Sequence, residues 1–219
     1  MVYKLSSQSS IANDYLIQLR DETIQLDPVL FRRNLYRFGQ IFAFEISKKL
    51  RYDPVQTVTP LGVAEGQKLN DKIVLGTILR AGLPMHEGML SFFDMAENAF
   101  ISAYRRDHKD GTFEISLEYL STPDLDDKVL MICDPMLATG ASMVKSINAL
   151  LEHGTPKEIH IASIIASSAG LEYVQIAFPD ATIWIGEEDE ELTARSYIVP
   201  GLGDAGDLAY GKKPYDPME

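Results

Sequence analysis

The sequence predicts a doubly wound α/β fold, with a mainly parallel sheet flanked by helices. Five short runs are apolar and β-branched at nearly every position, which is typical of strands buried on both faces of a parallel sheet. Segments with helical periodicity lie between these runs, so strand and helix alternate along the chain. A fold of this kind binds its ligands at the carboxyl ends of the strands.

The first fifty residues are expected to be helical. Apolar residues recur at helical spacing between Phe31 and Phe42, which predicts an amphipathic helix over about 27–50, preceded by another near 11–25. Three arginines, Arg32, Arg33 and Arg37, lie between the apolar positions. They are interpreted as a solvated face or a subunit contact rather than a phosphate site.

The rest of the chain carries the alternating pattern. The buried strands are expected at 73–79, 99–104, 129–133, 159–165 and 182–185. The intervening helices are expected at 83–97, 142–153 and 171–178.

Two segments do not follow this alternation. Residues 113–119 alternate between apolar and polar side chains, which indicates a strand with one wet face, so a hairpin flap over 99–120 is expected at the sheet edge. The five consecutive acids 187–191 are expected to form a solvated loop.

Length and composition limit the classes of function. A chain of 219 residues suits one domain, by the rough allowance of ~100 to 200 residues per domain. The formal net charge is -12, which argues against a nucleic-acid partner. No apolar run approaches the ~20 residues of a membrane helix, and the first residues lack the apolar core of a signal peptide. A lone Cys133 excludes an internal disulfide and is interpreted as inert packing, so a cytoplasmic protein without membrane partners is expected.

The segment Asp-Pro-Met-Leu-Ala-Thr-Gly-Ala-Ser, residues 134–142, lies between a predicted strand and a predicted helix. The helix N-terminus offers unpaired N–H donors to a phosphate, Thr139 and Ser142 add hydroxyls, and Asp134 can orient a sugar hydroxyl or a hydrated Mg²⁺. An ordinary strand-to-helix turn with Ser142 as the N-cap explains the same residues about as well.

Two arginines follow predicted strands. Arg80, in Ile-Leu-Arg-Ala-Gly-Leu-Pro, can fork two donors onto pyrophosphate oxygens, although an ion pair at the sheet edge is an equal alternative. Arg105 ends Ser-Ala-Tyr-Arg in the same manner.

Residues 201–206 match the pattern G-x-G-x-x-G, but only thirteen residues follow Gly206, too few for a dinucleotide-binding unit of ~30 residues. The glycines instead permit a tight loop that can present backbone donors and acceptors to a planar ligand.

These four segments, in this order, resemble those of uracil phosphoribosyltransferases, a type I phosphoribosyltransferase family. Residues 134–142 resemble the loop that binds 5-phosphoribosyl 1-pyrophosphate (PRPP), with Pro135 where many type I enzymes have a second acid. Residues 79–83 resemble the pyrophosphate loop, and Pro84 stands where a glycine is common. Residues 102–105 resemble the Tyr-Arg element, and residues 197–207 resemble the uracil-binding segment.

The resemblance implies a role for individual residues. Arg80, Arg105 and Asp204 are the implied catalytic residues, and Asp134 is the implied metal ligand, directly or through water. The implied PRPP-binding residues are Arg80, Arg105, Asp134, Pro135, Met136, Leu137, Ala138, Thr139, Gly140, Ala141, Ser142 and Asp204. The implied uracil-binding residues are Tyr197, Ile198, Gly203, Asp204 and Ala205, within a base-binding hood over 186–211. Tyr197 is equally well explained as a core aromatic.

The implied reaction is transfer of the 5-phosphoribosyl group from PRPP to uracil with Mg²⁺, giving uridine 5′-monophosphate (UMP) and diphosphate. The resemblance also implies a homodimer or higher homo-oligomer and a GTP effector. The alternatives are a phosphoribosyltransferase for another base, and a PRPP- or nucleotide-sensing regulator of the same fold that binds RNA.

Overall fold

The computed structural model describes residues 1–107 and 113–212, without the side chains of 104–107 and 113–115. The helices are α1 (Ile11–Arg20), α2 (Pro28–Ser47), α3 (Leu83–Leu90), α4 (Ala141–Leu151), α5 (Ser168–Ala177) and α6 (Ala205–Tyr210). The strands are β1 (Val2–Lys4), β2 (Tyr52–Thr59), β3 (Gly62–Leu69), β4 (Ile73–Leu79), β5 (Glu97–Asp107), β6 (Phe113–Ser121), β7 (Val129–Cys133), β8 (Met136–Leu137), β9 (Glu158–Ser167), β10 (Thr182–Asp189), β11 (Glu191–Leu192) and β12 (Ile198–Val199).

The main sheet confirms the predicted doubly wound fold. Its strands lie in the order β1, β10, β9, β7, β4, β5, β6, and short β8 also pairs with β9. All the pairings are parallel except that between β5 and β6. After β4 the chain adds β5 and β6 on one side, and then returns to place β7 on the other. The carboxyl ends of β4 and β7 therefore flank the point where strand order reverses, which is where open α/β sheets bind ligands.

Side chains of the central strands alternate between two cores. In β7, Val129, Met131 and Cys133 point to a core shared with α1, α2 and α3, whereas Leu130 and Ile132 point to a core shared with α4 and α5. Burial on both faces explains why β7 is apolar at every position and why the neighbouring strands are largely apolar. The first core also holds residues of the C-terminal segment, among them Ile198 and Leu202.

Several predicted boundaries were wrong, including the end of α1, at Arg20 rather than near 25, and the start of α5, at Ser168 rather than 171. Helix α3 ends at Leu90 rather than 97, where the Ser91 hydroxyl donates to the Gly88 carbonyl at 2.7 Å and the chain turns towards β5. Helix α4 begins after Gly140, so Ser142 lies inside the first turn and is not the N-cap. Strand β10 continues through the predicted acidic loop as far as Asp189, because its pairing with β9 extends that far.

A hairpin of β2 and β3 was missed by the sequence analysis. The two strands pair with each other as a separate two-stranded sheet. Nearly all their residues are exposed, including Val58 and Val63, and Leu61 at the turn is 100% exposed. Without a buried face, the hairpin has none of the hydrophobic periodicity by which strands are predicted.

The predicted edge hairpin is confirmed at the level of the backbone. Strand β5 continues past the end of β4, and β6 pairs with it in antiparallel register, with a register shift at Ser102/Ala103. Within residues 1–107 and 113–212, no helix is long and apolar enough to cross a membrane.

Candidate functional site

Arg80 begins the connection from β4 to α3, immediately after a buried strand. The peptide bond between Leu79 and Arg80 is cis. The guanidinium reaches the C-terminal segment, where Nη2 donates to Asp207 Oδ1 at 3.1 Å and Nη1 donates to the Gly211 carbonyl at 3.3 Å. Both partners of this ion pair are partly exposed, so the pair is worth under about 1 kcal/mol and can be exchanged for an anionic ligand at little cost.

The turn that carries Arg80 packs tightly against the ends of β4 and β7. A Cβ added at Gly82 would lie 2.2 Å from Thr77 Oγ1 and 2.7 Å from the Ile78 carbonyl oxygen, so no other residue fits there. The Thr77 hydroxyl in turn donates to the Cys133 carbonyl at 3.4 Å, which joins the ends of β4 and β7. Burial raises the pKa of the Cys133 thiol to about 12, which agrees with its expected inert role.

Asp134 follows β7, beside the turn of Arg80. Burial raises the pKa of its carboxyl from the ordinary 3.8 to about 7. A backbone hydrogen bond from Met136 opposes this rise, and the negative charge of Asp204 adds to it. A carboxylate in these surroundings gains from any ligand that brings a positive charge or hydroxyl donors.

The first half of the predicted PRPP loop is anchored to the sheet. The Pro135 carbonyl accepts from the N–H groups of Ile164 and Ile165, both at 3.0 Å, and residues 136–137 form β8 beside β9. Pro135 and Leu137 are buried. These residues shape the loop rather than present their side chains at its surface.

The second half of the loop is held by helix α5. The Ser167 hydroxyl donates to the Ala138 carbonyl at 2.5 Å, and a Cβ at Gly170 would lie 2.2 Å from that same oxygen. Gly140, the N-cap of α4, has a φ of 77°, in the left-handed region that favours glycine. The loop thus leads Thr139, Ala141 and Ser142, all partly exposed, to the N-terminus of α4.

The C-terminal segment supplies a second set of backbone groups. Gly203 has a φ of 89°, and it is exposed together with Asp204, between the buried Leu202 and Ala205. Asp204 caps α6 through a 2.9 Å hydrogen bond from the Asp207 N–H. Ile198 is buried, whereas Tyr197 is 48% exposed, so its interpretation as a core aromatic was wrong.

Two of the predicted site residues, Arg80 and Asp204, meet at Gly206, and a third, Asp134, interacts with Asp204. A Cβ added at Gly206 would lie 3.2 Å from Asp204 Oδ1 and 3.7 Å from Arg80 Nη2. Asp134 is close enough for the charge of Asp204 to act on its pKa. Arg105 lies on β5, opposite Ile115 of β6, and its side chain is outside the described residues.

Several residues near this site were missed or misinterpreted. Asp207, the partner of Arg80, lacked any signal beyond its position in the C-terminal motif. The acidic run 187–191 is not a solvated loop, because Asp189 is buried against Arg20. Arg32 and Arg37 are not on a solvated face, since Arg32 donates to the Ala209 carbonyl at 2.6 Å and Arg37 lies over the Tyr15 ring.

The histidines that the structure describes do not form a metal site. His86 and His160 are buried rather than at the surface, and burial lowers the pKa of both. Among the described residues, no group of three or more His, Cys, Asp or Glu side chains could hold a metal ion. A cation at this site would therefore have to take most of its ligands from a bound substrate and water, which is the usual situation for Mg²⁺.

Comparison with known proteins identifies the family. The family model described as uracil phosphoribosyltransferase matches residues 6–212. A uracil phosphoribosyltransferase of Porphyromonas gingivalis is 53% identical over 213 residues, covering 97% of this chain and 99% of its own. One of Methanothermobacter thermautotrophicus is 43% identical, covering 85% of this chain and 86% of its own. A solved structure from Aquifex aeolicus superposes with a TM-score of 0.87 at 29% identity, covering 98% of this chain and 100% of that one. The chain belongs to the uracil phosphoribosyltransferase family.

Proposed function

We propose that this protein transfers the 5-phosphoribosyl group from PRPP to uracil, giving UMP and diphosphate. The observation that carries the proposal is the meeting of Arg80, from the loop assigned to pyrophosphate, with the segment assigned to uracil. Arg80 Nη2 lies 3.1 Å from Asp207, three residues after Asp204. The two substrates would therefore bind side by side at the carboxyl edge of the sheet, as the transfer of a group from one to the other requires.

In the proposed reaction, a ring nitrogen of uracil attacks C1 of the ribose while the bond to the diphosphate breaks, and the proton on that nitrogen passes to the departing diphosphate or to water. Positive charge develops on the sugar and negative charge on the leaving group. Arg80 and Arg105 stabilise the departing diphosphate, and Asp204 stabilises the sugar or orients the base. The N-terminus of α4 and the hydroxyls of Thr139 and Ser142 hold the 5-phosphate.

The exposed backbone of Gly203 and Asp204 would provide the groups that read the edge of uracil, together with Tyr197, Ile198 and Ala205. Uracil presents alternating N–H donors and carbonyl acceptors, and a peptide backbone can pair with both kinds. Because Leu202 and Ala205 are buried on either side, the exposed backbone between them is held in place.

The residues present fit a Mg²⁺ ion that arrives with PRPP. Asp134 and Asp204 are two interacting carboxylates, and a cation held at this site would favour the ionised form of Asp134, which its burial opposes. When bound, Mg²⁺ supplies charge stabilisation of the diphosphate oxygens. Asp134 would hold it directly or through water and would also orient the ribose hydroxyls.

The hairpin of β5 and β6 would close over the bound substrates and exclude water, which would protect PRPP from hydrolysis. The course of β5 supports this proposal, because β5 pairs with β4 and continues past its end, where Arg80 follows. Arg105 would move with the flap.

We propose further that the protein is a homodimer or a higher homo-oligomer, activated by GTP. The hairpin of β2 and β3 supports the assembly, because an isolated two-stranded hairpin is marginally stable in water and this one exposes Val58, Leu61 and Val63. Light scattering with and without GTP measures both the assembly and any change in it.

The reaction is tested by measuring UMP formation from uracil and PRPP with Mg²⁺. Turnover of hypoxanthine or adenine without uracil would instead support a phosphoribosyltransferase for another base. A salt-sensitive RNA complex with no UMP formed would support the regulator, although the net charge of -12 disfavours it.

A further inference from the structure

An ion pair between the first and last parts of the chain lies behind the segment assigned to uracil. Asp189 ends β10 and Arg20 ends α1, 169 residues away along the sequence. Arg20 Nη1 donates to Asp189 Oδ2 and Nη2 donates to Oδ1, both at 2.8 Å, which is the bidentate arrangement. The Asp189 side chain is 5% exposed and that of Arg20 is 21% exposed, so the pair is largely shielded from water.

The same two side chains hold both backbone groups of Gly201. The Gly201 N–H donates to Asp189 Oδ2 at 2.9 Å, and its carbonyl accepts from Arg20 Nη1 at 3.0 Å. Gly201 has a φ of 58°, and an added Cβ would lie 2.1 Å from the Ile198 carbonyl oxygen. The chain can therefore make this turn only with glycine at 201, and within the described part of the chain the ion pair supplies the partners of its peptide groups.

Gly201 stands two residues before the exposed Gly203. A stretch with glycine at 201, 203 and 206 loses much conformational freedom when it is ordered, so it needs fixed points to present one arrangement. The N-terminal helices supply further ones. With its side-chain amide assigned in the orientation that satisfies its neighbours, Gln25 donates to the Leu202 carbonyl at 2.8 Å. Arg32 donates to the Ala209 carbonyl at 2.6 Å.

We propose that Arg20 and Asp189 are positioning residues for the pyrimidine base, and that they act by fixing Gly201 so that the backbone of Gly203 and Asp204 is ordered before the base arrives. The inference rests on the proposed assignment of residues 198–205 to uracil. It gives the N-terminal helices a role in base recognition, although neither side chain is assigned a contact with the base.

The test variant is Asp189→Asn, which keeps the size of the side chain but cannot accept from Gly201 and from both Arg20 nitrogens as a carboxylate does. The matched control is Asp71→Asn. Asp71 is also buried and accepts from the Arg51 N–H at 2.7 Å, from Arg51 Nε at 3.1 Å and from Lys157 Nζ at 2.6 Å. It lies just before β4, at the amino edge of the sheet and so on the far side from the site.

For Asp189→Asn we expect the KM for uracil and the Kd for UMP to rise roughly tenfold, because the base must then order a mobile segment. The KM and Kd for PRPP, which carries no base and meets this segment only at Asp204, should rise clearly less than those for uracil and UMP. Asp71→Asn should lower the melting temperature comparably and change none of these constants. Arg20→Lys keeps the positive charge but cannot form the bidentate contact, so its KM for uracil and Kd for UMP should lie between those of wild type and Asp189→Asn. If Asp189→Asn does not fold, Arg20→Lys replaces it in the test.

Equal uracil constants in Asp189→Asn and Asp71→Asn would overturn the inference, as would an equal loss of PRPP and UMP binding in Asp189→Asn. In both cases a wild-type protein that forms UMP would leave the proposed function standing. A wild type that binds PRPP but forms no UMP from uracil would overturn the proposed function and this inference together.

Discussion

Replacement of Asp134 by asparagine should change how the stability of the ligand-free protein depends on pH. The Asp134 carboxyl has a pKa of about 7 in the folded protein against an ordinary 3.8. Between these two pH values, the folded protein keeps a proton that the unfolded chain has released. The proton stabilises the fold fully below pH 3.8. This contribution is lost as the pH rises towards 7, since ionising this partly buried carboxyl then becomes a cost of folding. Asparagine does not titrate, so the variant lacks this pH-dependent contribution to stability.

The size of the effect follows from the two pKa values. The full difference corresponds to about 4 kcal/mol. Between pH 5 and pH 8, where other carboxylates change little, the free energy of unfolding of the variant should gain about 2.5 kcal/mol relative to wild type. Urea denaturation of both proteins at pH 5, 6, 7 and 8 measures this difference. Asp124→Asn, which removes an exposed carboxylate, is the control for the loss of one negative charge.

A difference between Asp134→Asn and wild type that stays level from pH 5 to pH 8 would refute the reasoning. It would mean that the Asp134 carboxyl is well hydrated or already paired with a cation. If the raised pKa is real, saturating PRPP and Mg²⁺ should move the titration to lower pH in wild type, because the bound ligands favour the ionised carboxylate.

Three further predictions concern other parts of the molecule. Arg80→Ala should lower kcat for UMP formation about 100-fold or more, with a melting temperature close to that of wild type, whereas the exposed Arg33→Ala should keep full activity. Gly140→Ala should destabilise the protein by about 1 to 2 kcal/mol in urea, because its φ is 77° and the new Cβ would lie 2.9 Å from the Gly170 carbonyl; unchanged stability would contradict this. Lysines at the cross-strand pair Val58 and Val63 should reduce the mass measured by light scattering, and an unchanged mass would exclude this hairpin face from the subunit interface.

Elements that are buried in the structure were predicted more accurately than elements that are exposed. Strands β4 and β7 were predicted to the residue, because burial on both faces makes every one of their positions apolar or small. The hairpin of β2 and β3 was missed because it buries neither face, so its sequence carries only polar and scattered apolar residues. Helix α3 was predicted too long because Phe92 and Met95 continue the apolar pattern, although both are exposed.

The site residues that could be predicted are likewise those whose signal is local in the sequence. Arg80, Asp134 and Asp204 could be predicted because each lies in a short local motif at the end of a strand or in a glycine-rich segment. Asp207 as the partner of Arg80, and Arg20 as the partner of Asp189, depend on contacts between residues that are 127 and 169 positions apart. No local pattern records such a pairing, which is why the acidic run around Asp189 was interpreted as a loop.

The contacts between residues 1–20 and residues 181–201 have a consequence for how the molecule folds. Strand β1 pairs with β10, the Met1 ammonium group donates to the Ala181 carbonyl, and Arg20 donates to Asp189 and to the Gly201 carbonyl. During synthesis the first twenty residues leave the ribosome long before their partners exist, and contacts of such large sequence separation form slowly. We expect the central strands to assemble first, and the segment assigned to the base to gain its structure in the last step of folding.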